Sequence, residues 1–564
     1  MAADLPYGCG VGSTHAVTNQ PPPLAEYDVF GADAALVEAF HRYGDGNRSR
    51  LHELGTLAGS ERAQQWAWQA DRNPPALRTH DRYGHRVDEV EFHPSYHRLM
   101  EIAVEYGLHA AAWSPSGSPS GGTHATRAAG FLVWSQVEAA HMCPISMTYA
   151  AVPALRTDPE IAASWEPGLT STSYDPGLRP PGRKAGVLAG MAMTEKQGGS
   201  DVRANTTSAE PGADGWFHLT GHKWFCSAPM NDVFLVLAHA PGGLSCFVVP
   251  RIRDDGSRNP FRIQRLKDKL GNRANASAEI ELEGTSAQLL GAEGRGVATI
   301  IEMVAATRLD CVLGSSALMR RAVAEASWHA AHRSAFGTKL TDAALMQAVL
   351  ADLAIESEAA TALAMRLAAA VDRPGDPHER ALRRIGLPLA KFWVCKRTPH
   401  AVGEALECLG GNGYVEDSGM PRLYREAPLN SIWEGAGNIQ ALDMLRVLSR
   451  EPEAVDAWRA EVSDVAGSDD TPPATAESLR TALSEVEVLL RDAAADREAA
   501  LRRARVLAAR MAVLLQASLL IRFAPAEVAD AFCATRLDAS HGVFGLLPSA
   551  VDARAIVDRA TPTR

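Results

Sequence analysis

Four short stretches carry residue types that chemistry would need. Ile432-Trp433-Glu434-Gly435-Ala436-Gly437-Asn438 sets a carboxylate among glycines at the entry of a helix; it can move a proton or, as most acids there do, only complement the helix dipole. Met191-Ala192-Met193-Thr194-Glu195-Lys196-Gln197-Gly198-Gly199-Ser200-Asp201 is a turn whose hydroxyls and free N–H groups can grip an electron-rich ring or phosphate oxygens, although alone such a stretch is more often just a turn. Gly221-His222-Lys223-Trp224-Phe225-Cys226-Ser227 reads as a strand, with Phe225 and Ser227 on one face. Leu409-Gly410-Gly411-Asn412-Gly413-Tyr414 permits close backbone approach to a ligand, and equally suits a helix end with a tight loop.

The elements that must position these residues follow from periodicity. Up to about residue 170 apolar spacing is helical, with a surface loop over Ser114–Gly122. After the break Pro176–Gly182, short β-branched and aromatic runs predict strands at 216–220, 233–238, 245–249, 261–265 and 278–282, spaced as in a small barrel or sandwich. Helical periods return at 295–333, 342–371, 380–408 and 438–449, with the lengths of a four-helix bundle. A polar break, Gly467–Pro473, precedes a last helical region, and no internal repeat argues for a solenoid.

Composition sets outer bounds. The chain has 564 residues, 46% hydrophobic and 22% charged, so it is globular and holds several domains. A net charge of −11 opposes nucleic-acid binding except through a local basic face. The eight cysteines form no C-x-x-C pair, which argues against a zinc or redox motif, implies no metal site, and fits reduced thiols in the cytoplasm. Met1–Pro23 has no basic start with an apolar stretch behind it, and no run approaches the length of a membrane span.

In their order and spacing, the four stretches resemble the signatures of the acyl-CoA dehydrogenase family, Thr-Glu-x-x-x-Gly-Ser-Asp and Glu-Gly-x-x-x-Ile, across roughly residues 185–450. The resemblance implies a mainly α fold with a central β-barrel: an N-terminal helical domain (1–184), a β-barrel domain (185–290), a four-helix bundle (291–450) and a C-terminal helical appendage (451–564). It also implies FAD, a homotetramer and an acyl-CoA substrate. By motif position the flavin would meet Met191, Ala192, Met193, Thr194, Ser200, Phe225, Cys226, Ser227, Trp433 and Gly435. A neighbouring subunit would add an Arg-x-x-Phe-Gly element, matched by Arg333, Phe336 and Gly337, together with Gly410 and Gly411. Arg333 and Phe336 are otherwise an ordinary helix-end cation and a core aromatic. Asn438, four residues after Glu434 and so on its face of a common helix, resembles the family's polar contact to FAD.

The resemblance makes Glu434 the catalytic base. The family's other base position, just before an arginine in the first bundle helix, is Thr307 here, ahead of Arg308, and threonine is no base. Arg308 either lowers the Glu434 pKa or anchors a helix end.

Further stretches, including Asn19-Gln20-Pro21, Arg265–Arg273 and Arg422–Glu426, resemble a branch of the family tied to the bacterial response to DNA alkylation. That likeness implies an appendage that binds double-stranded DNA, for DNA repair or protection. Arg502, Arg503, Arg505 and Arg510, opposite an apolar stripe of Leu507, Met511, Leu514 and Leu515, are the candidate phosphate contacts, with Arg446 ahead of them; a solvated helix face explains the same pattern. Beyond residue 450 acids outnumber arginines and lysine is absent, which argues against DNA. The alternative is a metabolic dehydrogenase that oxidises a short or branched acyl-CoA and passes electrons to an electron-transfer flavoprotein.

Overall fold

The computed structural model describes residues 14–114, 122–213, 215–467, 471–537 and 542–563. Helices α1 (Ala34–Tyr43), α2 (Arg48–Gly59) and α3 (Glu61–Arg72) begin where the side chains of Asp33, Asn47 and Ser60 accept from N–H groups of the first turn. A hairpin, β1 (Ala76–His80) and β2 (Arg86–Glu91), interrupts the helices that the sequence predicts throughout this region. Its alternating pattern is short and highly charged, and it is held from outside: Arg86 donates to the Ile263 carbonyl of the barrel at 3.0 Å. Helices α4 (Pro94–Glu105), α5 (His124–Ser135), α6 (Met142–Leu155) and α7 (Pro159–Leu169) complete the N-terminal layer. The predicted loop Ser114–Gly122 lies outside the described residues except at its two ends.

The barrel comprises β3 (Ala189–Ala192), β4 (Ser208–Pro211), β5 (Phe217–Ser227), β6 (Val233–Ala240), β7 (Gly243–Pro250), β8 (Phe261–Leu266) and β9 (Ser277–Leu290). Pairing runs β4–β5–β9–β7–β6 and returns to β4, with β3 parallel to β6 and β8 against β9. The closed ring leaves few free edges. Phe234, Phe247, Phe261 and Ile280 fill its interior. All five predicted strands are present; β3 and β4 are too short to show a period.

The bundle is α8 (Gly296–His332), α9 (Ala344–Val371), α10 (Pro377–Cys408) and α13 (Gly437–Arg450), within one to three residues of the predicted spans. Between α8 and α9 stands a hairpin, β10 (Ser334–Ala335) and β11 (Thr338–Lys339), and between α10 and α13 lie α11 (Gly411–Tyr414) and α12 (Met420–Glu426). The appendage, α14 (Pro452–Ala466), α15 (Pro473–Ala495), α16 (Arg497–Phe523), α17 (Ala526–Arg536) and α18 (Ala553–Ala560), shares the bundle's core. Trp458 is fully buried and donates to the Met511 carbonyl at 3.1 Å, while Arg559 reaches back to Glu38 and Glu358. By length and composition α16 alone among the described helices could cross a membrane, but its apolar residues are packed into this core. The seven described cysteines are buried and form no disulfide; Cys9 lies outside the described residues.

Candidate active site

Glu434 lies in the turn that precedes α13, not within the helix, which begins after Ala436. It and Asn438 therefore share no helical face, contrary to the sequence expectation. Glu434 adopts a left-handed backbone, φ +57°, and Gly435 follows at φ +93°. A glutamate in that region is strained, and such strain persists only where the surroundings impose it. Three side chains do so. Lys391, buried in α10, donates Nζ to the carbonyls of Asn430 (3.1 Å), Trp433 (2.8 Å) and Gly435 (2.9 Å). Gln440 Nε2 donates to the carbonyls of Glu434 (3.1 Å) and Gly435 (2.8 Å). Arg308 Nε donates to the Glu434 carbonyl at 3.0 Å while its Nη1 holds Asp443 at 2.9 Å. A Cβ on Gly435 would stand 2.8 Å from Gln440 Nε2 and push that amide off the turn it holds, and φ +93° itself favours glycine.

The Glu434 carboxyl accepts from the Thr307 hydroxyl at 2.8 Å. Burial raises its pKa above the ordinary carboxylate range, against the Thr307 hydrogen bond and the charges of Lys391 and Arg308. Arg308 thus fills both roles that the sequence left open. Thr307, unable to act as a base, serves the Glu434 carboxyl as a donor.

The ring-gripping stretches converge on the same place. Met191, Met193 and Trp433 pack in one apolar cluster with Met303 and Ala228. The turn is fixed from behind, where the Trp224 N–H donates to the Thr194 carbonyl (2.8 Å) and Asn205 Nδ2 to that of Met193 (2.9 Å). On β5, Phe225 leaves about half its surface open (49%), and Lys267 Nζ sits 4.4 Å from its ring centroid. The buried Cys143 thiol lies between the Ser227 hydroxyl and the Glu434 carboxylate, whose charge helps raise its pKa after burial itself. Ser200 is exposed on the turn. Ala192 and Cys226 point into the barrel core, which leaves only their backbone for a ligand.

Glu195 of the same turn is structural. It is buried and accepts from Lys223 Nζ (2.7 Å), Thr207 Oγ1 (2.6 Å) and the Thr206 N–H (2.7 Å), which outweigh burial and bring its pKa down to about 2. Lys391 and Gln440 are not singled out by the sequence, and Lys269 only as part of the Arg265–Arg273 stretch, with no role. Lys391 had a signal, a lone cation within Leu387-Pro388-Leu389-Ala390-Lys391-Phe392-Trp393-Val394, because a charge in such a run needs buried partners. Lys269 donates to the Asn275 carbonyl (2.6 Å) and Ser277 Oγ (3.0 Å) on the Cys143 side, and burial lowers its pKa to about 8.

A second group occupies another face. Asn19 accepts from Arg333 Nη1 (2.6 Å) through its carbonyl, and its side chain bonds Ser334, while Gln20 accepts from Asn412 (3.0 Å). The β10–β11 hairpin and the glycine loop are thereby joined. Phe336, at the hairpin tip, is wholly exposed with φ +53°, and is no core aromatic; Gly410 has φ +59° and open space where a Cβ would be. Among the described residues no hydrogen bond directly joins Phe336 or Gly410 to Glu434.

A cavity of about 890 Å³ opens beside the Glu434 turn between α8, α10, α13 and α14, bordered by Ser200, Arg308, Arg380, Arg383, Arg384 and Arg446. The α16 arginines are engaged within the chain: Arg502 with Glu498, Arg503 with Asp492, Arg505 with Asn438 (2.9 Å) and Arg510 with the Leu537 carbonyl and Glu485. Asn438 is thus held by the appendage, while Arg446 is exposed, 3.7 Å from Asp443.

Comparison with known proteins agrees with this geometry. Residues 19–176 match the adaptive response protein AidB N-terminal domain, 190–285 the acyl-CoA dehydrogenase middle domain, and 294–449 the acyl-CoA dehydrogenase C-terminal domain. AidB of Escherichia coli (strain K12) is 47% identical over 458 residues, 81% of this chain and 84% of that protein. Acyl-CoA dehydrogenase family member 11 of Caenorhabditis elegans is 30% identical over 490 residues, 83% of this chain and 75% of that protein. The crystal structure of C. elegans ACDH-11 in complex with C11-CoA superposes with a TM-score of 0.84 at 27% identity, covering 94% of this chain and 95% of that one. An acyl-CoA dehydrogenase from Bacillus anthracis complexed with FAD shares the fold at a TM-score of 0.63 and 19% identity, over 83% of this chain and 82% of that one. With two relatives at least 30% identical over most of their lengths and family models matched along the chain from residue 19 to 449, this chain belongs to the acyl-CoA dehydrogenase family.

Proposed function

We propose that the chain is an FAD-dependent oxidoreductase that oxidises an acyl thioester at its α,β bond. The observation that carries this reading is Glu434, a carboxyl held by Thr307 in an imposed turn beside the Met193–Trp433 cluster. The donor set fits FAD: open hydroxyls and backbone on the Thr194–Ser200 turn and a half-exposed Phe225, with a fully exposed, strained Phe336 on another face that suits the site of a neighbouring copy. Bound there, FAD supplies the acceptor for the hydrogen that leaves the β-carbon with its electron pair. Glu434 takes the α-proton, made acidic by the thioester carbonyl. Arg308, Lys391 and Gln440 fix the turn, so that the carboxyl meets the substrate without reorganising. The cavity carries both arginines and acids; Arg308 and Arg384 are paired with Asp443 and Glu451, and Arg380 and Arg383 stand at its border as candidate partners for a polyanionic carrier such as coenzyme A. The C11-CoA held by the C. elegans relative favours a medium-length chain over the short or branched one expected from sequence.

Anaerobic titration with a panel of acyl-CoA thioesters tests this. Flavin absorbance should bleach with at least one of them, and Glu434→Gln should slow bleaching by about a hundredfold or more while the flavin content is unchanged. Absence of bleaching across the panel sinks the reading.

The likeness to AidB favours a second activity, association with double-stranded DNA and its protection from alkylation, in a cytoplasmic homotetramer. For that, Arg502 and Arg503 would exchange Glu498 and Asp492 for phosphates, and the exposed Arg446 would join them. Duplex binding that weakens steeply with salt, and weakens further in Arg502→Glu/Arg503→Glu, is expected; no binding at low salt overturns it.

A further inference from the structure

The appendage holds a groove that the dehydrogenase reading does not use. It measures about 950 Å³ and runs between α13, α14, α15 and α16. Leu442, Leu445, Leu448, Val455, Leu490 and Leu501 form its apolar lining. Leu442 and Leu501, on facing helices of the groove, are 44% and 47% exposed and give it a wet apolar floor. Around it stand Arg446, Arg450, Arg459, Arg491 and Arg497, against a single acid, Asp456. Arg459 takes that acid at 3.0 Å and also bonds Glu487. Among the described residues Arg450, Arg491 and Arg497 have no acidic partner, whereas the neighbouring Arg502 and Arg503 each have one. A local excess of cations in a chain of net charge −11 is a feature to be explained.

The two properties together select a ligand. Burying exposed leucine surface gains roughly 25 cal/mol per Å², which an alkyl chain supplies and a nucleic-acid backbone does not. A guanidinium fork matches a carboxylate in paired hydrogen bonds and keeps its charge at every accessible pH. The volume lies within the range of small-molecule sites, about 300–1,000 Å³. The geometry points to a second ligand site in the appendage, for a long-chain fatty carboxylate whose chain covers the leucine floor and whose head meets the unpaired arginines. Leu442 and Arg446 also border the cavity beside Glu434, so binding must be told apart from occupation of that cavity.

Calorimetric titration of the full-length, FAD-loaded protein with dodecanoate provides the test, with flavin absorbance recorded in parallel. One site per chain is expected, with flavin absorbance unchanged. Affinity should fall at least tenfold in Arg491→Gln/Arg497→Gln and, independently, in Leu501→Asp; all three positions are exposed, and unchanged flavin content reports that each variant is folded. Dodecyltrimethylammonium, with the same chain and opposite charge, should not bind. The proposal is overturned if both variants bind as the parent does, if the cationic amphiphile binds equally well, or if dodecanoate perturbs the flavin and is displaced by acyl-CoA. Binding of a DNA duplex that the double variant abolishes, with none of dodecanoate, overturns it equally and assigns the arginines to phosphates.

Discussion

Glu434 and Thr307 make one unit at the residue scale. A carboxylate is the active form of a base, and burial has moved Glu434 upward, so turnover should rise with pH through a midpoint above the ordinary carboxylate range. The Thr307 hydroxyl stabilises the charged form; Thr307→Val should therefore displace the acidic limb of the pH–rate profile to higher pH while leaving the plateau rate within a few-fold. A limb that stays in place would show that Thr307 does not tune the base. The Glu195–Lys223 pair tests a different property, stability. Burial pulls Lys223 below its ordinary pKa even beside Glu195, but the lysine stays protonated in acid, so the carboxylate governs that range. With Glu195 at about 2 when folded and near 4.5 when unfolded, its contribution is complete above about pH 4.5 and is lost as the pH falls towards 2. Lys223→Met leaves Glu195 buried and unpaired, and should cost about 3–5 kcal/mol in a denaturant titration at neutral pH.

At the scale of elements, the turn before α13 shows what a sequence can and cannot tell. The bundle helices were legible because each carries a long 3.6-residue period, and the barrel because β5, β6, β7, β8 and β9 alternate or run apolar between turn residues. The motifs singled out the Met191–Asp201 turn, the Phe225 strand and Glu434 from their residue types. The left-handed backbone at Glu434, however, is dictated by Lys391, Gln440 and Arg308, which reach it from other elements. The α16 arginines were correctly phased to the outer side, but a helical wheel does not reveal that Asp492 and Glu485 of α15 and Asn438 of α13 stand across from them. Lys391→Met should leave the Asn430 and Trp433 carbonyls without their Lys391 donor and the Gly435 carbonyl with Gln440 alone. A loss of at least about 2 kcal/mol, with bleaching impaired although Glu434 is intact, is expected from thermal melts and anaerobic titration; normal bleaching would separate the turn from the chemistry.

The molecule as a whole does not divide at residue 450. Arg366 on α9 is bonded to Glu461 on α14, Arg536 on α17 pairs with Asp352 and Glu356 on α9, and Arg559 bridges to α1 and α9. A chain ending at Arg450 should therefore fail to give a cooperative melt by circular dichroism, rather than behave as a dehydrogenase without its appendage. The β10–β11 hairpin points the other way, out of the chain. Phe336 holds a strained backbone and presents a fully exposed ring, which a second body would cover. If that body is another copy holding FAD, cofactor retention obeys mass action: flavin fluorescence should appear on dilution of the holoprotein, at a protein concentration that Phe336→Ala raises without altering the fold. Affinity for the cofactor would then be a property of protein concentration, and a cell could gain or lose holoenzyme through expression level alone.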